Sequence, residues 1–202
     1  MTTQSSKPLD DTGEPLDVSL LVQRAQAGDQ SAFGELMQAY HQRVYGILVG
    51  IVRNADDAQD ISQLAWVKVW NKLSTFKGDA DFYTWLYRVT TFAGLDFIRK
   101  RKRKREVELL EGAEPRRDAD AGLPPSVLSR PDRDAQSAEI RDLFDAALEQ
   151  LSPEHRAALL LREVEGLSYD EIARAMKCRR GTVMSRIFYA RKRIQEKMRD
   201  AR

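Results

Sequence analysis

The chain is predicted to be all-α, with two small helical domains joined by a flexible linker. Three observations predict this. Apolar residues recur at steps of three and four in every patterned segment and never alternate as a half-buried strand requires. Between 106 and 136, Gly112, Pro115, Gly122, Pro124, Pro125 and Pro131 lie among scattered acids with no apolar period, which reads as an extended tether. Near the end, a capped short helix is followed by a strongly basic one, the outline of a helix-turn-helix.

Residues 1–16 are polar and patternless and are expected to be disordered. Leu20, Leu21 and Val22 open a short helix that Gly28 can end in a left-handed cap. Asp29 is placed as N-cap of a long helix with Phe33, Leu36, Met37, Tyr40, Val44, Ile47, Leu48 and Ile51 as its stripe. Asn54 to Asp57 breaks that stripe and caps a third helix, facing Ile61, Leu64, Ala65, Val69 and Leu73 inward. A loop from Ser74 to Asp81, centred on Gly78, leads to a fourth helix lined by Phe82, Leu86, Val89, Ala93 and Phe97. That helix runs into an unbroken basic block, Arg99 to Arg105. Four amphipathic helices bury a small core, so the first domain is set at 17–105.

The tether is set at 106–134, with one helical turn near Val107 to Leu110 as an alternative. The second domain, 135–202, opens with Ile140, Leu143, Phe144, Ala147, Leu148 and Leu151. Ser152 caps the next helix with Pro153 at its first position. Ala157, Leu160, Leu161 and Val164 face inward until Gly166 stops the chain. Ser168 and Glu171 form a capping box before Ile172, Ala173 and Met176. After the Lys177-Cys178 turn, Val183, Ile187, Ala190 and Ile194 set the face of the last helix, with Thr182 as its N-cap.

The net charge of +2 hides a strong division. Residues 1–98 hold 12 acids and 8 bases, 106–150 hold 12 acids and 5 bases, and 171–202 hold 11 bases and 3 acids. Two basic patches on an otherwise acidic chain suit a polyanion gripped at two points. No run of eighteen apolar residues exists, so no membrane span is expected. Met1 to Pro15 lacks the apolar core of a secretory signal. The lone Cys178 makes no internal disulfide and no usual metal site. A cytoplasmic setting is expected. His41 and His155 lie in different domains without a nucleophile, and Asp56-Asp57 sits at a helix start that favours carboxylates anyway. No glycine-rich phosphate loop appears. A catalytic role, a cofactor and a metal are therefore not expected.

In a helix-turn-helix the start of the second helix meets base edges, where arginine forks onto guanine. Arg179, Arg180, Thr182 and Ser185 are expected nearest the bases, and Arg186, Arg191 and Lys192 on phosphates. Cys178, in the turn, reads as a small residue filling space.

Several segments also carry a family resemblance. These are Gly28 to Phe33, Asp56 to Gln63, Phe76 to Asp79 with Phe82 to Arg88, Leu151 to Glu154, Gly166 to Ala173, and Gly181 to Val183 with Ser185-Arg186. Together they resemble the extracytoplasmic-function (group 4) sigma factors of bacterial RNA polymerase, in the sigma-70 family, over about 18–105 and 135–198. The resemblance implies that region 2 is the first domain and region 4 the second. It implies binding to core polymerase, at the β′ clamp helices through Asp57, Asp60, Gln63 and Trp66, and at the β flap. It implies capture of the single-stranded −10 element by Phe76, Lys77 and Asp79, with Phe82, Trp85, Arg88, Arg99, Lys100 and Arg101 in support. Region 4 would read the double-stranded −35 element, the linker would thread toward the RNA exit path, and an anti-sigma factor is implied without being identified. The chain departs from the family habit at Trp66, at Phe92, whose spacing from Val89 and Leu95 reads as core, and at Met184, which replaces a common cation.

The rival reading is a DNA-binding repressor or activator with a helical dimerisation domain. A third is a protein-interaction module. The aromatic segment Phe76 to Trp85 discriminates, because binding closed duplex does not require it.

Overall fold

The computed structural model describes residues 16–110 and 144–200. They form α1 (Val18–Gln26), α2 (Gln30–Val52), α3 (Ala55–Leu73), α4 (Phe82–Leu110), α5 (144–149), α6 (Pro153–Glu163), α7 (Tyr169–Met176) and α8 (Arg180–Asp200). No strand occurs among the described residues. The expected disorder before residue 16, most of the tether and the start of the second domain lie outside them.

The helix starts follow their capping chemistry. Asp29 accepts from the Ser31 and Ala32 amides, and the Ala32 bond, followed by Arg24, holds its carboxyl below the usual range. Asn54 accepts from the Asp57 amide and Ser152 from that of His155. Ser168 and Glu171 complete the capping box. Thr182 does not cap α8: its own amide bonds to the Arg179 carbonyl at 2.9 Å, inside the first turn. Helix α4 continues to Leu110, beyond the boundary set at 105. Lys102–Glu106 and Lys104–Glu108 pairs one turn apart support that extension.

Three residues expected inside are not. Leu64, Met37 and Val164 are 59%, 40% and 45% exposed. The buried edge of α3 advances strictly by fours, Ile61-Ala65-Val69-Leu73, and this turns Leu64 outward with Gln63 and Val67. Val164 is the residue that ends α6.

The apolar stripes of the sequence offer no sign of how the two domains sit together. Their described parts share one apolar core. Leu36, Leu48, Ile51 and Leu86 belong to the same cluster as Leu160, Leu161, Ile172 and Val183. A smaller cluster, including Leu148, Leu159 and Ile194, lies under α5, α6 and α8. Gly50 permits the close approach of α2 to α6, because a Cβ there would overlap Leu160 Cδ1. Polar groups fix the register. Tyr83 and Tyr87, one turn apart on α4, both donate to Glu165 Oε2, at 2.5 and 2.6 Å. Burial, with the Glu165 charge next, pushes the Tyr87 phenol far above its ordinary range, so it stays a donor. Arg53, which ends α2 at φ +61, bonds to Asp145 Oδ1 at 3.0 Å and to its carbonyl at 3.1 Å.

Two predictions follow from the packing. Replacing both Tyr83 and Tyr87 with Phe leaves the Glu165 carboxylate buried without these donors, at a cost of about 1.5–3 kcal/mol per bond to a charged group. The unfolding midpoint should fall and the radius of gyration from X-ray scattering should rise; an unchanged radius would show that the donors do not hold the domains together. Tyr40 is pushed up to about 12, first by burial and then by Asp81. Its neutral form is the one the fold accommodates. That contribution is full below the unfolded tyrosine value of about 10 and is lost as pH rises through the folded value. Denaturant midpoints of the protein and of Tyr40→Phe should therefore run parallel to about pH 10 and converge or cross above it.

Candidate nucleic-acid interface

The loop between α3 and α4 rests on a group of three rings. Phe76 lies 5.9 Å from Phe82 and 5.3 Å from Trp85, and Phe82 lies 5.9 Å from Trp85. Phe82 is buried and anchors the group from below, whereas Phe76 and Trp85 are half-buried. Gln26 of α1 ties the loop down, its Nε2 donating to the carbonyls of Leu73 at 2.9 Å and Phe76 at 2.7 Å. Gly78 turns the chain at φ +78, a conformation that strains other residues. Lys77 and Asp79 stand exposed on either side of it.

Beside this loop, a crevice of about 770 Å³ opens between α3, α4 and α7. Its wall holds the cations Lys68, Lys72, Lys77, Arg88, Arg99, Arg174 and Lys177 against only two acids, Asp79 and Asp96. Phe76, Trp85 and Phe92 supply rings. Cations beside stackable rings make the chemistry that holds a single nucleic-acid strand. Phe92 is thus not the plain core residue its spacing suggested: it is half-buried, with Lys177 Nζ 5.3 Å from its ring centre. Sequence reasoning missed Lys68, Lys72, Arg174 and Lys177. Single cations on helix faces carry no pattern, and the last two reach the crevice only through domain packing.

The basic block divides. Arg99 lies 3.7 Å from Glu154 of the second domain, and Lys100 pairs with Asp96 at 3.1 Å. Arg101 turns to Asp57 at 2.6 Å. A residue expected to face polymerase and one expected to face DNA therefore hold each other.

On α3, Asp60 and Gln63 are exposed, but Trp66 is 4% exposed and packs edge-on to Phe33 at 5.9 Å. Trp66 shapes the floor of an apolar groove of about 560 Å³, bordered by Phe33, Met37, Gln63, Val67 and Trp70.

In the helix-turn-helix, Arg179 is exposed and Arg180 lies 3.7 Å from Asp170. Ser185 is exposed and its hydroxyl donates to the Thr182 carbonyl at 3.0 Å. Arg186 reaches Cys178 Sγ at 3.7 Å, Arg191 Nε donates to Glu163 at 3.0 Å, and exposed Lys192 lies 4.0 Å from Glu196. The surface of α8 also presents Phe188 and Tyr189, 63% and 56% exposed, which charge-based reasoning had passed over.

The Gln26 clamp is testable. Gln26→Ala should release the 74–81 loop, costing about 1 kcal/mol per lost bond, and speed its amide exchange without changing exchange within α2. Unchanged loop protection would assign its order to the ring cluster alone.

Comparison with known proteins identifies the family. Residues 36–104 match the family described as Sigma-70 region 2, and residues 141–194 match Sigma-70, region 4. The chain is 37% identical to the RNA polymerase sigma-H factor of Pseudomonas aeruginosa, over 87% of this chain and 91% of that protein. It is 36% identical to the ECF RNA polymerase sigma-E factor of Escherichia coli (strain K12), over 92% of this chain and 96% of that protein. Among solved structures it resembles the sigma factor RpoE of Bartonella quintana, in complex with the anti-sigma factor NepR, with TM-score 0.64 and 26% identity over 84% of this chain and 98% of that one. CnrH, in complex with the cytosolic domain of CnrY, shares the fold with TM-score 0.62 and 22% identity over 90% of this chain and 96% of that one. The chain belongs to the sigma-70 family as a sigma factor of the extracytoplasmic-function type, which acts by binding core RNA polymerase and promoter DNA to start transcription.

Proposed function

We propose a division of labour within this sigma factor. The outward face of α3 meets core polymerase, the α3–α4 loop and its crevice take the melted −10 strand, and α8 takes the −35 duplex. The observation that carries this reading is the first-domain side of the crevice, where Lys68, Lys72, Lys77, Arg88 and Arg99 lie with Phe76, Trp85 and Phe92 beside a loop clamped in place. Arg174 and Lys177 leave it when the domains separate. Flipping a base out of the stack costs a few kcal/mol. A pre-shaped pocket with phosphate-binding cations offsets part of that cost. On α3, Asp60 and Gln63 adjoin exposed Leu64 and Val67, a mixed patch suited to a helical protein partner, with Trp66 supporting it from beneath. Residues of the β′ clamp helices are the proposed counterparts of this patch, with the β flap as a separate contact on core polymerase. Such a factor works in the cytoplasm. An anti-sigma partner is supported by the relative from Bartonella quintana, which was solved with one.

The promoter sets a further condition. Its two elements lie about 25 base pairs apart, roughly 85 Å at 3.4 Å per pair. A compact chain of this length has a radius of gyration of about 17 Å, so the packed domains cannot engage both elements at once. They must separate. Residues 111–143 are long enough for this, since their number of residues reaches roughly 110 Å at full extension.

Run-off transcription with purified core polymerase and a genomic fragment library tests the whole assignment. Start sites should appear that core enzyme alone does not use. Phe76→Ala should retain polymerase binding while slowing promoter opening by about tenfold or more, as expected for a lost stacking contact of about 1–3 kcal/mol. Lys77→Ala should retain binding while slowing opening through a lost phosphate contact. Permanganate footprinting reads the opening directly, and undiminished thymine reactivity would remove the loop from the strand-capture role.

A further inference from the structure

We propose that α8 reads thymine methyl groups through Met184 and Phe188; this rests on α8 being the duplex-binding helix. The face of α8 buried against the protein is Val183, Ile187, Ala190 and Ile194. Away from it, Gly181, Met184, Ser185 and Phe188 follow the i, i+3, i+4, i+7 spacing with which a helix in the major groove meets successive base edges. That row has no cation. Its two large side chains, Met184 and Phe188, are 51% and 63% exposed.

Of the two arginines expected nearest the bases, Arg179 is exposed and Arg180 has an acid within reach, and two of the cations expected on phosphates also have partners within the protein. Arg180 lies by Asp170, Arg186 reaches back to Cys178, and Arg191 is held by Glu163. Only one feature of the four base pairs in the major groove is apolar, the 5-methyl group of thymine. An exposed thioether and phenyl ring complement it, with Ser185 between them for one hydrogen bond. Tyr189 sits against Phe188 at 5.7 Å and against His155 at 6.4 Å, bracing the ring from behind. Charge identifies the occupant as DNA: residues 171–202 carry 11 bases against 3 acids, and an apolar patch framed in cations fits a groove framed in phosphates.

The test uses holoenzyme reconstituted from core polymerase and the full chain. Upstream duplexes are selected from a randomised pool, and each thymine of the selected site is replaced by uracil, which lacks only the methyl group. Each contacted methyl removed should weaken binding about fourfold, the equivalent of about 0.8 kcal/mol per buried CH₂-sized group. Phe188→Ala and Met184→Ala should each abolish the penalty at their own thymines, and Phe188→Leu should restore part of it. Both side chains are surface-exposed, and circular dichroism melts verify that the variants fold. Equal binding across the uracil series would overturn the proposal, as would a penalty that survives both alanine variants; a protein partner covering the patch predicts the first result. If the holoenzyme shows no preference for selected over scrambled duplex, the assignment of α8 to the −35 element falls first and this inference with it.

Discussion

The arrangement of the molecule depends on one buried carboxylate. Glu165, only 7% exposed, sits in the turn between α6 and α7 and receives two phenolic hydroxyls from α4. An ion taken out of water costs several kcal/mol unless its lone pairs are met. Tyr83 and Tyr87 meet them only when one turn of α4 faces that turn squarely. A shift of α4 by one residue would leave the charge unpaired, so the contact sets the register in a way apolar surfaces alone would not. The rest follows from it. Helix α7 comes to lie over α4, Lys177 over Phe92, and Leu160 against Gly50.

The same chemistry makes the contact reversible. An interface of leucines alone would expose a large apolar area on opening, whereas tyrosine hydroxyls, a carboxylate and guanidinium groups regain water. Arg156 is 8% exposed, and burial, followed by the charge of Arg53, pulls its pKa down to about 10. The Nε atoms of both arginines have no hydrogen-bond partner. Across the crevice, Arg174 and Lys177 face the cations of α3 and α4. The packed state therefore contains repulsions, and those across the crevice are ones that phosphates can relieve, which suits the proposed separation along a promoter.

Much of this was legible in the sequence, and the exceptions share a cause. Helix starts depend on neighbours within four residues, so Asp29, Asn54, Ser152 and Ser168 could be read as caps. The ordered motifs around the 74–81 loop and α7–α8 were equally local. Domain docking was not legible, because Tyr83 and Glu165 are 82 residues apart and neither is apolar. A signal did exist in α4. Its Tyr83, Thr84, Tyr87, Thr90 and Thr91 are buried beside the expected stripe, and a helix covered on more than one side needs a second partner. Counting those small and aromatic residues as a second face would have called for one. Cation roles were less legible than cation positions, since sequence gives charge density but not the acid each arginine meets.

Those acids explain how a chain rich in exposed cations can remain folded on itself. Arg99, Arg180 and Arg191 each lie within reach of a carboxylate, yet their side chains are 54%, 62% and 49% exposed. Ion pairs this wet contribute about 0–1 kcal/mol. A phosphate replacing the carboxylate gains the release of a condensed counterion as well, so DNA wins the exchange at moderate salt and loses ground as salt rises. The paired carboxylates thus act as a weak internal competitor. They screen the basic faces from chance polyanions while leaving them open to a promoter that engages several arginines together. The methyl-reading row of α8 lies outside this competition, because Met184 and Phe188 have no charge to neutralise. Sequence discrimination and charge attraction are in this way placed on different side chains of one helix, and salt can weaken the second without touching the first.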